Sequence, residues 1–584
     1  MVATHGFDPA SRGTHLSRRT LLGGFAGMAT AAILAACGDT AATEAPRATT
    51  ASSTGSTGST AATTAPAATT AMPVAATTQP MSAGAGAMAT QPAAAAGAPK
   101  RGGTLKAGLD GDILTFDPLT SGAFADREVY YNIYDTIVAY DANLKIIPAL
   151  AEKWETPDAK TYVFTLRKDV KFHDGTDLNA EAVKFNIERY LNEKTSRRKA
   201  EIDTIQSVEV VDAVTVKFNL KAAFAPLLPT LADRAGMILS PTVIKALGPD
   251  ALALKPVGAG SGPFRFVEAV KDDRITVERN PNYWKKDASG GQLPYVDKVI
   301  YRPIADPTVL LTNLKTGDLD LSYRIASKDV AGVKSGSELT LKEMPGLGFD
   351  AISFNTTKEP FNKKELRQAV AEALDREQIL KVVNFGVGQV AHGPIPPSSW
   401  AYDANLKPYG ANIAKAKEYL KAGGKPDGFS FEFKIGSGSP VTTQLAQLIK
   451  DQLAKAGIVV NILQQERTKQ STDQSSGEFQ MLTFGWSGRP DPDGNIYNIF
   501  RTGGGLNYGG YSVPQVDELL DKARAASDQG ERKGFYQQAQ KLLVEDAAMA
   551  FYNFAPAYLV SQPKVQGVQL YPDFMMRLDG AWLR

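Results

Sequence analysis

From Lys100 onward, apolar positions recur with two alternating periods. Thr161-Tyr162-Val163-Phe164-Thr165-Leu166-Arg167 alternates at period two, and so do Ile205 to Val211 and Thr215 to Leu220. The last two runs predict a hairpin turning at Val211-Asp212-Ala213, and Phe429, Phe431, Phe433 and Ile435 line one face of a further strand. Helical spacing predicts helices over Ala180–Leu191, Lys363–Asn384, Ile413–Ala422, Thr442–Ala456, Val516–Ala526 and Glu531–Ala547. Asn362 stands where an N-cap would start the second of these, with Glu365 at its third position. Gly423 and Gly457 stand where helix ends favour a left-handed residue. Strand Phe429–Ile435, helix Thr442–Ala456, strand Ile458–Gln464 and strand Phe479–Phe484 read as a β-α-β series, which implies a twisted sheet with helices packed on it. The half before it is richer in strands and irregular connections, and no internal repeat is visible.

The first hundred residues follow another logic. Arg18 and Arg19 in Ser17-Arg18-Arg19-Thr20-Leu21-Leu22 resemble a twin-arginine export motif, and a mildly apolar stretch runs from Leu21 to Ala36. At about 15 residues it is too short for a bilayer, which needs ~20. It ends in Leu34-Ala35-Ala36-Cys37, and Cys37 is the only cysteine of the chain. Residues 1–37 therefore read as a lipoprotein signal peptide ending at a lipidated Cys37. The protein is expected to be anchored at the outer face of the cell membrane, in a periplasmic space or at the cell surface. Residues 38–99 are Ala, Thr, Ser, Gly and Pro with almost no charge and no large apolar side chain except methionine and valine. Such a segment cannot offset its ordering entropy and is expected to be a disordered tether, with a reach of about 45 Å for roughly 60 residues.

Charge and cysteine usage narrow the chemistry of what remains. A net charge of +2 over 584 residues gives no bulk attraction to nucleic acid. With Cys37 committed, the body has no disulfide, thiol nucleophile or thiolate metal site. Beyond Cys37 the only histidines are His173 and His392. No Gly-x-Ser-x-Gly elbow, HExxH or phosphate-binding glycine motif is present.

Four stretches carry a resemblance. Leu166-Arg167-Lys168-Asp169-Val170-Lys171-Phe172-His173-Asp174-Gly175 runs into the helix at Ala180. Gly258-Ala259-Gly260-Ser261-Gly262-Pro263-Phe264-Arg265-Phe266 precedes Arg279-Asn280-Pro281-Asn282-Tyr283-Trp284. Phe354-Asn355 precedes Leu366-Arg367-Gln368-Ala369-Val370 and Ala373-Leu374-Asp375-Arg376. Gly485-Trp486 precedes Asp491-Pro492-Asp493. Each alone reads as a turn or packed segment. In this order they resemble the family-5 extracellular solute-binding proteins of ABC importers, of the dipeptide, oligopeptide and nickel-binding type.

The resemblance implies an α/β, two-lobed periplasmic-binding-protein-like fold of class II type. An extra subdomain would sit in lobe I, and two crossing segments would form a hinge near Gly348–Phe354 and Asn553–Ala557. Lobe I would span 100–349 plus 556–584, and lobe II 350–555. The implied function is to capture a small solute or peptide by lobe closure and hand it to ABC permease and ATPase subunits. The protein would act as a monomer, with no cofactor, metal or catalysis.

Peptide-binding relatives place an Asp a short interval after the Gly-Trp, against the peptide ammonium. The matching position here holds Arg489, and the place of an Arg that meets the peptide carboxylate is near the neutral Thr443. Arg489 either presents its fork to a carboxylate or phosphate of the ligand, or pairs with Asp491 or Asp493, or simply faces solvent. Trp486 is either a pocket wall or a core residue. Ser121 and Gly122, on a loop that matches a cleft-facing loop of the family, are further ligand-binding candidates. So are Trp400, Asp491, and Asn507 and Tyr508 after Gly503-Gly504-Gly505. The competing readings are a tethered hydrolase, a nickel-chelate or metallophore binder, and a sensor or chaperone on the same fold.

Overall fold

A computed structural model describes residues 98–407 and 409–584. Cys37, the export signal and the tether up to residue 97 lie outside the described residues. The alternating runs become strands of three sheets. Thr104–Leu109, with Leu105, Ala107 and Leu109 buried, lies at the heart of a seven-stranded sheet. It pairs in parallel with Lys298–Pro303 on one side and Leu321–Ser322 on the other. Thr161–Leu166 is an inner strand of a four-stranded antiparallel sheet that also holds the Ile205–Val210 and Thr215–Leu220 hairpin. Its inward residues Phe164 and Phe218 meet edge to face at 5.2 Å, and the helix Ala180–Asn192 packs on them. This sheet and helix form the extra subdomain.

The third sheet has five strands, in the order Val459–Gln465, Ser430–Gly436, Met481–Trp486, Phe349–Phe354 and Met549–Asn553. Ser430–Gly436 and Val459–Gln465 are parallel and joined by the helix Pro440–Ala454. Phe431, Phe433 and Ile435 are buried on the helix side, each contributing about 1.5–3 kcal/mol relative to exposure. The fold is thus α/β and two-lobed, with the seven- and four-stranded sheets in one lobe and the five-stranded sheet in the other. The chain crosses from Thr340–Pro345 to Phe349–Phe354 and returns from Met549–Asn553 to Pro556–Ser561, so two short segments form the hinge. The lobes touch across the cleft at Ala225, whose N–H donates to the Arg524 carbonyl at 2.9 Å. Among the described residues, no helix is long and apolar enough to cross a membrane.

Several local expectations shift. The helix expected over Lys363–Asn384 is two, Lys364–Ala373 and Arg376–Val383. Asp375 breaks it, because its carboxylate caps the second helix by accepting from the Gln378 N–H at 2.9 Å. Lys363, not Asn362, is the residue at the N-cap, and it makes no side-chain cap bond. The left-handed residue after Ile413–Ala422 is Gly424 (φ 74°), while Gly423 stays at φ −76°. The strand expected over Phe479–Phe484 runs instead from Met481 to Trp486, because Trp486 is held in register opposite Phe349.

Two motifs far apart in sequence pack together. The His173 N–H donates to the Gly260 carbonyl at 2.7 Å, and the His173 ring lies 3.0 Å from the Gly262 carbonyl. Nearby, the Ser261 hydroxyl, the Tyr283 hydroxyl and the Trp284 indole all donate to buried Asp135.

Candidate functional site

The strand Met481–Trp486 ends at the cleft, and the next turn carries Arg489. Asn495, fully buried in the helix Asp493–Phe500, clamps that turn. Its side-chain oxygen accepts from the Trp486 indole at 3.0 Å and the Arg489 N–H at 2.7 Å, and its amide donates to the Arg489 carbonyl at 3.1 Å. Gly488 has φ 82°, and a Cβ there would fall 2.2 Å from the Leu347 carbonyl carbon. A Cβ on Gly348 would fall 2.1 Å from the Trp486 carbonyl oxygen. One hinge segment is therefore pressed against the backbone of the site turn.

A cavity of about 140 Å³ lies between this turn and the facing lobe. Trp486, Arg489, Asp491, Asp493 and Leu506 line it from one lobe, with Arg524 behind Asp493. From the other come Arg127 and Tyr131 of the helix Phe124–Ile133, Tyr140, Glu201, Phe224, Asp233 and Asp573.

Its carboxylates are already engaged. Arg127 makes a two-pronged pair with Asp233 at 2.8 and 3.1 Å. Arg524 does the same with Asp493 at 2.7 and 3.0 Å, and Arg532 with Asp491 at 2.7 and 3.0 Å. Arg577 holds Asp573 at 2.7 and 3.0 Å, and Arg198 holds Glu201 at 2.7 Å. Arg489 stands apart. Its guanidinium donates to the Gly488 carbonyl at 2.7 Å and the Ser487 hydroxyl at 3.3 Å, and lies over the Trp486 ring at 4.7 Å. None of the ion pairs among the described residues includes it.

The electrostatics agree with that pairing. Burial would raise Asp233, but Arg127, then Arg234 and Arg489, outweigh it and hold the carboxyl far below its usual range. Burial, and then the neighbouring Arg127, push Arg489 below its ordinary value against the pull of Asp233. Burial and then Arg198 bring Arg234 down to about 9. These shifts are the signature of surplus positive charge in a partly desolvated place.

Of the residues singled out by sequence, the structure brings Trp486, Arg489 and Asp491 together at the cavity. The others are elsewhere. Ser121 is buried, its hydroxyl donating to Asp126 at 2.9 Å and its carbonyl accepting from Arg198 and Arg234. Gly122 is exposed beside Arg197. Trp400 meets Tyr536 edge to face at 6.0 Å with the Arg532 guanidinium 5.2 Å from its ring, so it backs the Asp491–Arg532 pair. The Asn507 amide braces a turn through the Arg501 and Tyr511 carbonyls, and Tyr508 lines a separate shallow pocket with Asn355 and Glu478. Sequence reasoning missed Asn495, Arg127, Asp233, Arg524 and Arg532. Arg127 and Tyr131 are spaced i, i+4, a signal for one helical face, but their partners are visible only in three dimensions.

A two-lobed α/β fold whose lobes line a shared cavity is the architecture of a solute-binding protein. The model of the bacterial extracellular solute-binding proteins, family 5 middle, matches residues 145–507, and the chain belongs to this family. It is 28% identical over 480 residues to the glutathione-binding protein GsiB of Pectobacterium atrosepticum, covering 80% of this chain and 91% of that one. It is 30% identical over 491 residues to the dipeptide-binding protein of Escherichia coli K12, covering 78% and 90%. Among solved structures it is similar to the ABC transporter-associated periplasmic binding protein DppA from Helicobacter pylori, in complex with the peptide STSA. There the TM-score is 0.74 at 29% identity, with 83% of this chain and 98% of that chain covered. This chain is accordingly the substrate-binding component of an ABC importer.

Proposed function

We propose that the protein captures a small, peptide-like solute bearing a carboxylate and delivers it unaltered to permease and ATPase subunits. Lobe I, 100–349 with 556–584, closes on lobe II, 350–555, about the two hinge segments, and the guest stabilises the closed state. The observation that carries this reading is Arg489, among the described residues the one cavity-lining guanidinium that holds no carboxylate. A half-buried cation with N–H groups to spare gains most from a carboxylate that can accept two parallel bonds. The relatives that bind glutathione and dipeptides support a peptide-like guest. Trp486, Tyr131 and Phe224 supply apolar walls for its body. The protein acts as a binder rather than a catalyst, as its family does, and neither His173 nor His392 lines the cavity. A hydrolase or a nickel-chelate binder has less support.

The lipidated Cys37 and the tether keep the body at the outer membrane face, as a monomer near its permease. Cys37→Ser should move the protein from the membrane to the soluble fraction, and unchanged partitioning would remove the anchor. Arg489→Ala should weaken retention of the solute that co-purifies with the protein about 10- to 100-fold, the loss of one charge-assisted bidentate contact. Undiminished retention, read by native mass spectrometry, would refute the carboxylate reading.

A further inference from the structure

We infer that the guest is an anion whose amine is acylated or absent, such as an N-acyl amino acid or an N-blocked short peptide, and that free peptide zwitterions are excluded. The inference rests on the proposed capture of a carboxylate at Arg489 and adds what the rest of the cavity will accept. A peptide ammonium is held best by a carboxylate whose charge no arginine already neutralises. Here Asp233, Asp491, Asp493 and Asp573 each spend both oxygens on their own arginine, and Glu201 is held by Arg198. The charge left over is positive. Arg489 stands beside Arg127 within reach of the field of Arg198. An ammonium brought into this space meets like charge, and among the described carboxylates that line it only the second oxygen of Glu201, a side chain 34% exposed at the edge of the cavity, is left unpaired.

A second group points to what replaces the ammonium. Tyr140 lines the cavity, is only 5% exposed, and its hydroxyl has no hydrogen-bond partner among the described residues. A buried hydroxyl left unpaired is costly, and a neutral amide or acyl carbonyl satisfies it by accepting its proton. The cavity therefore offers a guest two donors of different kinds. One is a cation suited to a carboxylate, and the other is a neutral donor suited to a carbonyl. Phe224, Trp486 and Leu506 leave apolar surface for an acyl or side-chain group.

The test incubates the guest-stripped protein with an equimolar pool of dipeptides in three forms, free, N-acetylated and C-amidated, and weighs the complexes by native mass spectrometry. The expected result is enrichment of N-acetylated over free forms by tenfold or more, with amidated forms not retained. Tyr140→Phe should reduce the preference for acetylated forms without restoring amidated ones. Arg489→Asp should reverse the preference toward free ammonium groups. Equal or greater retention of free dipeptides by the wild-type protein overturns this inference, while loss of amidated forms would still uphold carboxylate capture. Retention of amidated and acetylated forms alike overturns carboxylate capture itself. Retention of no peptide in any form overturns the blocked-peptide class.

Discussion

Changing Asp491 to asparagine keeps the shape of the side chain and removes the counter-charge of Arg532. Both side chains are 8% exposed and joined by parallel bonds of 2.7 and 3.0 Å. Two unit charges about 4 Å apart interact by about 4 kcal/mol at an effective dielectric of ~20. Breaking a buried pair from one side costs about 3–5 kcal/mol, because the remaining charge stays desolvated. Arg532 keeps two other acceptors, the Ala523 carbonyl at 3.0 Å and the Tyr536 hydroxyl at 3.2 Å, so the lower end of that range applies. A loss of about 3 kcal/mol should lower Tm by roughly 6–12 °C for a lobe-sized cooperative unit. Scanning calorimetry of wild type, Asp491→Asn, Arg532→Met and the double variant measures the cycle. The double variant should lie closer to wild type than either single one, since it leaves no uncompensated charge. Asp491→Asn within about 0.5 kcal/mol of wild type, together with additive single effects, would refute the reasoning.

Two further perturbations test the frame around the site. Burial, partly offset by the bond to the Gly262 carbonyl, pushes His173 down from 6.5 to about 4. The unfolded chain thus takes up a proton first as pH falls, and the contribution to stability is full above about 6.5 and lost toward pH 4, at up to ~1.4 kcal/mol per pH unit. His392 is also brought to about 4 by burial and then by Arg376, so His173→Gln should remove part, not all, of the Tm slope between pH 4 and 6.5. An unchanged slope would contradict a neutral buried His173. Gly348→Ala places a methyl group against the Trp486 carbonyl and must displace either the hinge segment or the site turn. Stability should fall by about 1–3 kcal/mol and guest affinity about tenfold or more, and wild-type values of both in calorimetry would show that hinge and turn are not in contact.

Local chemistry was largely legible. The Thr215–Leu220 strand and the Ile413–Ala422 helix stand where their periodicity puts them, because one face of each is buried and no distant partner competes. The reversed charge at Arg489 could also be read, as a departure from a family pattern. Boundaries were less secure where a side chain had a tertiary obligation. The helix predicted over Lys363–Asn384 is interrupted at Asp375, and the buried Arg376 that follows donates to the Phe551 carbonyl, 175 residues away.

The open question in the residue pattern was whether Arg489 serves Asp491, Asp493, a guest or only solvent. Composition cannot answer it, since basic residues (64 Lys and Arg) and acidic ones (62 Asp and Glu) are nearly balanced along the chain. The answer lies in which acids are taken, and that depends on contacts at long range. Asp233 is claimed by Arg127 from 106 residues away, and Asp491 by Arg532 from 41. Periodicity reports how a segment meets its own neighbourhood, whereas the pairing of charges depends on which segments the folded sheets and hinge bring face to face. The strands and helices follow from neighbours in the chain. The lone cation, the idle Tyr140 hydroxyl and the turn braced against the hinge exist only once the lobes have met.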